Sequence, residues 1–159
     1  EHGADIPKEY LLKMKEKGLA YVPTLSVYRI LSESEGILPE NTVRKSKVVH
    51  EKQKETFKNA YELGVMIALG TDAGSMNCGD HPNVAREMID MHDLGMKASD
   101  VIKSATINCA RVLGIERSKG SLEEGKIADI VILNKNPLED ISAFENSIVA
   151  VYKDGVKVV

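Results

Sequence analysis

A chain of 159 residues, 43% hydrophobic and 28% charged, has the makeup of one soluble globular domain with enough apolar material for a sizeable core. Its net charge of -3, with the signs interspersed, offers neither a basic face for nucleic acid nor a polybasic anchor for membranes. No apolar run nears the roughly 20 residues that span a bilayer and the N-terminus is acidic, so the sequence predicts a cytoplasmic protein, with Cys78 and Cys109, far apart and in no metal or redox spacing, as reduced thiols.

Pro7 opens the first predicted helix, whose stripe of Tyr10, Leu11 and Met14 runs to Lys17 before Gly18 stops it. Leu19 to Val22, bounded by Gly18 and Pro23, predicts a short buried strand, followed by a loop at Thr24-Leu25-Ser26 and loop-like residues from Ser32 to Pro39. Glu40 to Leu63 predicts a long outer helix with Val43, Lys47, His50 and Lys54 on one side and Val48, Phe57 and Tyr61 on another; Gly64 ends it. Val65 to Leu69 is the second predicted strand, and Thr71 to Pro82 an irregular loop. Asn83 can cap a helix carrying Val84, Met88, Ile89 and Met91 as far as Leu94-Gly95. Ala98-Ser99-Asp100 starts another, apolar all round to Leu113 and therefore expected to be well buried. This alternation predicts an α/β protein of parallel β/α units.

Near Gly114 the pattern changes. Turns at Gly120-Ser121-Leu122 and Gly125-Lys126 precede an apolar strand from Ile127 to Leu133, and Asn136-Pro137 breaks it. Ile148 to Tyr152 and Val156 to Val159 flank Lys153-Asp154-Gly155, where Asp-Gly between two short apolar strands signals a hairpin. Residues from about 120 onward thus predict a small β-rich appendage. No internal repeat or low-complexity tract is present.

The stretch from Val65 to Gly74 carries the strongest chemical signal, because an apolar strand delivers Asp72 to a glycine-flanked strand end. A carboxylate there can bind a cation, accept a proton from a bound water, or simply cap the turn through its own side chain; the ten residues leave these readings open. His2 has an imidazole suited to zinc, manganese or iron, but a lone histidine is more often an ordinary satisfied side chain. The pair gains weight together, since two strand ends in one barrel face the same mouth. His81, in the loop after Asp72, can contact substrate or hold the loop, and Tyr28, at a loop edge, can donate to a substrate carboxylate or only pack. His50 and His92 fall on helices with no partner at ligand spacing and read as structural, and Asp129 reads as a local hydrogen-bonding partner of the turn at Gly125.

At Glu1-His2-Gly3, Tyr21-Val22-Pro23-Thr24-Leu25-Ser26 and Gly70-Thr71-Asp72-Ala73-Gly74 the sequence resembles the amidohydrolase superfamily, specifically its imidazolonepropionase-like and Xaa-Pro dipeptidase-like branch. These segments correspond to that family's sixth, seventh and eighth barrel strands. Ala105-Thr106-Ile107-Asn108-Cys109-Ala110 resembles its helix after the barrel, and the segment from Gly120 to Val131 its return to a small β-sandwich domain. The likeness covers essentially the whole chain in the family's order.

The resemblance implies the C-terminal part of a (β/α)8 TIM barrel over residues 1–119, comprising strands 6 to 8 and the following helices, and part of a composite β-sandwich over 120–159. It implies a divalent metal, usually zinc and one or two ions, with activated water attacking an amide, lactam or ester carbonyl. His2 would be a metal ligand and Asp72 both the eighth-strand ligand and the group that takes the water's proton, with Thr71 and His81 beside the site. The implied substrate is a small molecule, dipeptide-like or a cyclic amide. The family's first-strand His-x-His pair, fourth-strand bridging residue and fifth-strand histidine have no counterpart here. A full barrel takes about 250 residues, and this chain begins without methionine on its Glu-His-Gly, so a longer natural product is expected, active only when complete. Open parallel edges predict that an isolated fragment associates, misfolds or needs its missing half, and a homo-oligomer is the expected assembly. A noncatalytic scaffold with an eroded metal site is the rival reading; a phosphate cradle is weaker, since no lysine follows in P-loop position and no Gly-x-Gly-x-x-Gly occurs.

Overall fold

The computed structural model describes residues 1–74 and 84–159, in which helices wrap a short parallel strand pair and a separate three-stranded antiparallel sheet follows. Helix α1 (Lys8–Glu16) starts behind Pro7 and buries Leu11 completely. Strand β1 (Ala20–Tyr21) pairs in parallel with β2 (Met66–Ile67), Ala20 opposite Met66 and Tyr21 opposite Ile67. Both strands are shorter than the apolar runs that announce them, although the ladder continues for one more bond, from the Ala68 N–H to the Tyr21 carbonyl at 3.0 Å.

The loop expected at Thr24-Leu25-Ser26 is instead the first turn of helix α2 (Leu25–Glu33). Thr24 turns the chain with φ +53, and no side chain of the same turn caps the helix. The first two amides of α2 are met by Glu87 from helix α4 (Val84–Asp93), 61 and 62 residues away, so no local start signal existed to be read. Tyr28 accordingly lies within α2 and not at a loop edge.

Helix α3 (Glu40–Leu63) has the expected span. It ends at Gly64, whose φ of +77 lets the Val65 N–H reach back to the Ala60 carbonyl, closing the last turn in a way a side-chain-bearing residue disfavours. Its buried face differs from the apolar pattern: Val43, Ser46, Gln53, Thr56, Phe57 and Ala60 are covered, whereas Val48 is 55% exposed. Two of its three polar members meet partners inside: Thr56 accepts from the Ile6 N–H at 3.2 Å, and Gln53 donates to the carbonyls of His2 and Pro23.

Helix α5 (Ala98–Lys103) passes through a π-helical turn (Ser104–Asn108) into α6 (Cys109–Val112). Only Val101, Ser104 and Ala110 are fully buried, and Val112 and Leu113 face outward, correcting the expectation of burial all round. The wide turn is set against the free edge of β2. There the Leu69 N–H donates to Ser104 O at 3.1 Å, the Asn108 side-chain amide donates to Ile67 O at 2.8 Å, and the Cys109 thiol donates to Leu69 O at 3.3 Å. Backbone groups that a further strand would otherwise satisfy are therefore paired. Leu11, Tyr21, Leu25, Phe57, Ile67, Met88, Met91 and Val101 belong to one core under these elements.

In the second sheet, β3 (Ile130–Leu133) pairs antiparallel with β4 (Ile148–Lys153), and β4 turns at Asp154-Gly155 into β5 (Val156–Lys157); the short helix α7 (Ala143–Asn146) precedes β4. Both turn residues have positive φ, +51 and +79, as a tight hairpin requires. The first strand begins later than Ile127 because Asp129 is occupied otherwise. Its carboxylate accepts from Lys119 and, at 2.8 Å, from the Asp154 N–H, so it ties the hairpin turn and not the turn at Gly125. Among the described residues no helix is long and apolar enough to cross a membrane.

Candidate functional site

Parallel pairing sends the residues after β1 and after β2 toward the same end of the strand pair, and both sequence-predicted ligands belong there. His2 is attached beside β1, its N–H donating to Val22 O at 2.9 Å. Asp72 follows β2 by five residues. Gly70 passes so near β1 that a Cβ on it would sit 2.5 Å from Val22 Cγ1. Val22 is thus touched by the His2 segment and by the Asp72 segment. Replacing Gly70 with alanine should force Val22 or the Thr71-Asp72 turn aside and cost about 1–3 kcal/mol; a melting temperature equal to wild type would mean that Val22 yields freely.

The half-buried His2 sits in an unusual backbone conformation, φ +64, held from several sides. Its carbonyl accepts from the Tyr21 hydroxyl at 3.1 Å and from Gln53 Nε2 at 3.1 Å, and the same Tyr21 hydroxyl contacts Gly3 O at 2.9 Å. Burial, with the Glu87 charge adding to it, drives the Tyr21 phenol far above its ordinary range, so it stays a neutral donor to these carbonyls. The ring of His2 is fixed separately: Nδ1 lies 2.9 Å from Thr24 Oγ1. With Nδ1 engaged, Nε2 is the nitrogen left for a ligand, the arrangement that metal-bound histidines adopt when an outer partner orients them.

Asp72 is exposed and also left-handed, at φ +51, in a turn whose side-chain cap among the described residues is the Thr71 hydroxyl, which accepts from the Ala73 N–H at 3.2 Å. His81 lies outside the described residues, as do Cys78 and Asn83. Tyr28 is carried on α2 and is not joined to this end by any hydrogen bond among the described residues. His50 and His92 lie on α3 and α4: burial holds the His50 imidazole below its ordinary range, and His92 Nδ1 meets Met96 O at 2.9 Å at the end of α4. Cys109 is a free thiol raised by burial.

Among the described residues no group of three or more His, Cys, Asp or Glu stands ready to hold a metal. His2 and Asp72 alone do not make such a group. One imidazole and one carboxylate are residue types that suit a borderline divalent cation.

The residues that hold this end together were not evident in the sequence. Glu87 is fully buried and accepts from the Leu25 and Ser26 N–H groups at 2.7 and 2.8 Å. Burial pushes its carboxyl up to about 7, while the Ser26 and Leu25 donors pull the other way. One turn along α4, Asp90 takes Arg29 Nε at 3.1 and 3.0 Å on its two oxygens and braces α2 against α4. The available signal was a glutamate one turn before the buried Met91, on the inward face of an otherwise apolar helix stripe.

The model of the amidohydrolase family matches residues 8–158. The chain belongs to the amidohydrolase family. It is 34% identical over 160 residues to an ochratoxinase of Aspergillus niger, covering 98% of this chain and 32% of that protein. An imidazolonepropionase of Symbiobacterium thermophilum is 46% identical over 77 residues, 46% of this chain and 17% of its own. A solved Xaa-Pro dipeptidase with bound methionine in its active site superposes with TM-score 0.87 at 39% identity, covering 98% of this chain and 38% of that one. The A. niger ochratoxinase structure gives TM-score 0.82 at 32% identity over 98% of this chain and 35% of that one. This amidohydrolase chain thus spans about a third of the length of the relatives it matches along nearly its whole extent. Membership implies a fold containing a TIM barrel, with which the mixed α/β architecture and the parallel strand pair agree.

Proposed function

We propose that this chain is the C-terminal segment of a metal-dependent hydrolase that cleaves C–N bonds in small molecules, either dipeptide-like or cyclic amides. Residues 1–119 would supply strands 6 to 8 of a (β/α)8 barrel, and residues 120–159 part of a composite β-sandwich. One observation carries the reading: His2 and Asp72 belong to segments that meet at Val22, beyond the same ends of adjacent parallel strands. Similarity to a Xaa-Pro dipeptidase and to imidazolonepropionases supports the substrate class.

In this reading His2, through Nε2, and Asp72 would hold the cation together with donors from the rest of the protein. A divalent ion in such a site supplies Lewis acidity and lowers the pKa of water toward about 7. Asp72, exposed beyond β2, takes a proton at its carboxylate and returns it to the leaving nitrogen. Tyr21 and Gln53 hold the His2 carbonyl, while Thr24 holds the ring. His81 and, more remotely, Tyr28 are the residues for substrate contacts.

The test is the divalent-metal content of the complete protein and of His2→Ala. The wild type should carry one or two ions, zinc first among them. His2→Ala should lose more affinity than the roughly 10–100-fold that removal of an outer-sphere partner costs. Wild-type protein without stoichiometric metal would favour the noncatalytic scaffold, and unchanged metal content in the variant would remove His2 from the ligand set.

A further inference from the structure

Glu87 is the most deeply buried carboxyl among the described residues, and nothing in the hydrolytic scheme above uses it. It reaches from α4 across to the start of α2 and spends both oxygens there, Oε1 on the Leu25 N–H at 2.7 Å and Oε2 on the Ser26 N–H at 2.8 Å. These amides directly follow Thr24, which is 3% exposed and left-handed at φ +53. A β-branched residue holds that conformation only where its surroundings impose it. The Thr24 hydroxyl is in turn the partner of His2 Nδ1 at 2.9 Å. Three hydrogen bonds, joined through the backbone between Thr24 and Ser26, therefore connect a buried carboxylate to an imidazole ring.

A cap alone would not need this construction, since a serine, threonine or aspartate at position 24 can satisfy a helix start locally. Here Thr24 turns its hydroxyl to His2, and the capping duty falls on Glu87. A carboxylate suits the task because it accepts twice and donates nothing, so both amides are held at once. Burial of that group away from water makes each of the two bonds costly to lose.

We propose that Glu87 is a positioning residue for the His2 imidazole, acting through the Leu25 and Ser26 amides and the Thr24 hydroxyl. Its consequence for metal binding rests on the role proposed above for His2; the orientation of the ring does not.

The test is nitrogen NMR of the complete protein carrying 15N-labelled histidine, with the His2 signals assigned by their loss in His2→Asn. Wild type should show one tautomer with Nδ1 hydrogen-bonded. In Glu87→Gln the amide accepts from one backbone N–H only and presents its own donor to the other, so the His2 Nδ1 signal should move away from its hydrogen-bonded position. Metal affinity should fall about 10–100-fold, the range for an outer-sphere partner. Thr24→Ala should produce the same shift, Thr24→Ser should restore the wild-type signals, and adding Glu87→Gln to Thr24→Ala should shift them no further. A purely structural Glu87 would lower the melting temperature in both backgrounds and leave the ring signals alone, and that result would overturn the inference. Should Glu87→Gln not fold, hydrogen exchange in the wild type decides: slow exchange at Leu25 and Ser26 supports the link, and exchange as fast as in exposed loops sinks it. Loss of metal in His2→Ala with an unmoved ring in Glu87→Gln removes this inference alone, whereas a moved ring with full metal in His2→Ala removes the ligand role alone.

Discussion

Asp72→Asn in the complete protein is expected to lower turnover of dipeptides or cyclic amides by at least about 10²–10⁴-fold while leaving the fold intact. Asparagine keeps the size and shape of the side chain but cannot take up a proton, which isolates the chemical contribution from the steric one. Backbone strain does not confuse the result, because Asp72 sits at φ +51 and asparagine is among the residues that tolerate that region. Nor should packing, since the side chain is exposed beyond the end of β2, where a polar exchange usually stays within about 0.5 kcal/mol. Steady-state kinetics together with thermal melting check both halves. Near-normal hydrolysis by the variant would remove Asp72 from the mechanism, and a collapsed melting transition would make the turn a structural element instead.

The largest effect on stability should come from Phe57→Ala. Phe57 is fully buried on α3, in the same core as Leu11, Tyr21, Leu25 and Ile67. Emptying the site removes an aromatic ring from the junction of α1, α2, α3 and the parallel strands. The expected loss is about 3–5 kcal/mol, a large part of the ~5–15 kcal/mol by which domains are stable. Val48→Ala on the same helix is the control: at 55% exposure it should change stability by no more than about 0.5 kcal/mol. Urea denaturation midpoints of the complete protein measure both. Equal midpoints for the two variants would contradict the buried face of α3 described above.

Val48 and Gln53 show why apolar pattern reading was only partly successful on that helix. Its span from Glu40 to Leu63 and its end at Gly64 follow from local chemistry, a long stretch of helix formers closed by a residue that adopts positive φ freely. Its inward face does not. Ser46, Gln53 and Thr56 are inside, and the Gln53 amide nitrogen donates to carbonyls of His2 and Pro23 that are remote in sequence. The first turn of helix α2 reads as a loop for the same reason, its cap being contributed by Glu87 from more than 60 residues downstream. The hairpin at Asp154-Gly155 was legible because its signal is contained in two residues.

The candidate site divides in the same way. His2 and Asp72 were found from residue type, glycine flanks and resemblance to a family whose membership the matches over nearly the whole chain establish. The supports of His2 are not legible as supports: Tyr21 and Thr24 fall in the segment that resembles the seventh barrel strand, Gln53 and Glu87 in no motif, and the four become a group only when β1, α2, α3 and α4 pack together.

What the amino-acid order determined by itself is therefore the local part: where most helices begin and end, where a tight turn falls, and which two side chains have the chemistry of ligands. Tertiary structure decided which faces are inward, which polar groups are buried, and how His2 is held. The physical reason is range. Capping, turn and periodicity preferences act within a few residues, whereas burial of a polar group is permitted only by a partner that the folded chain brings from elsewhere.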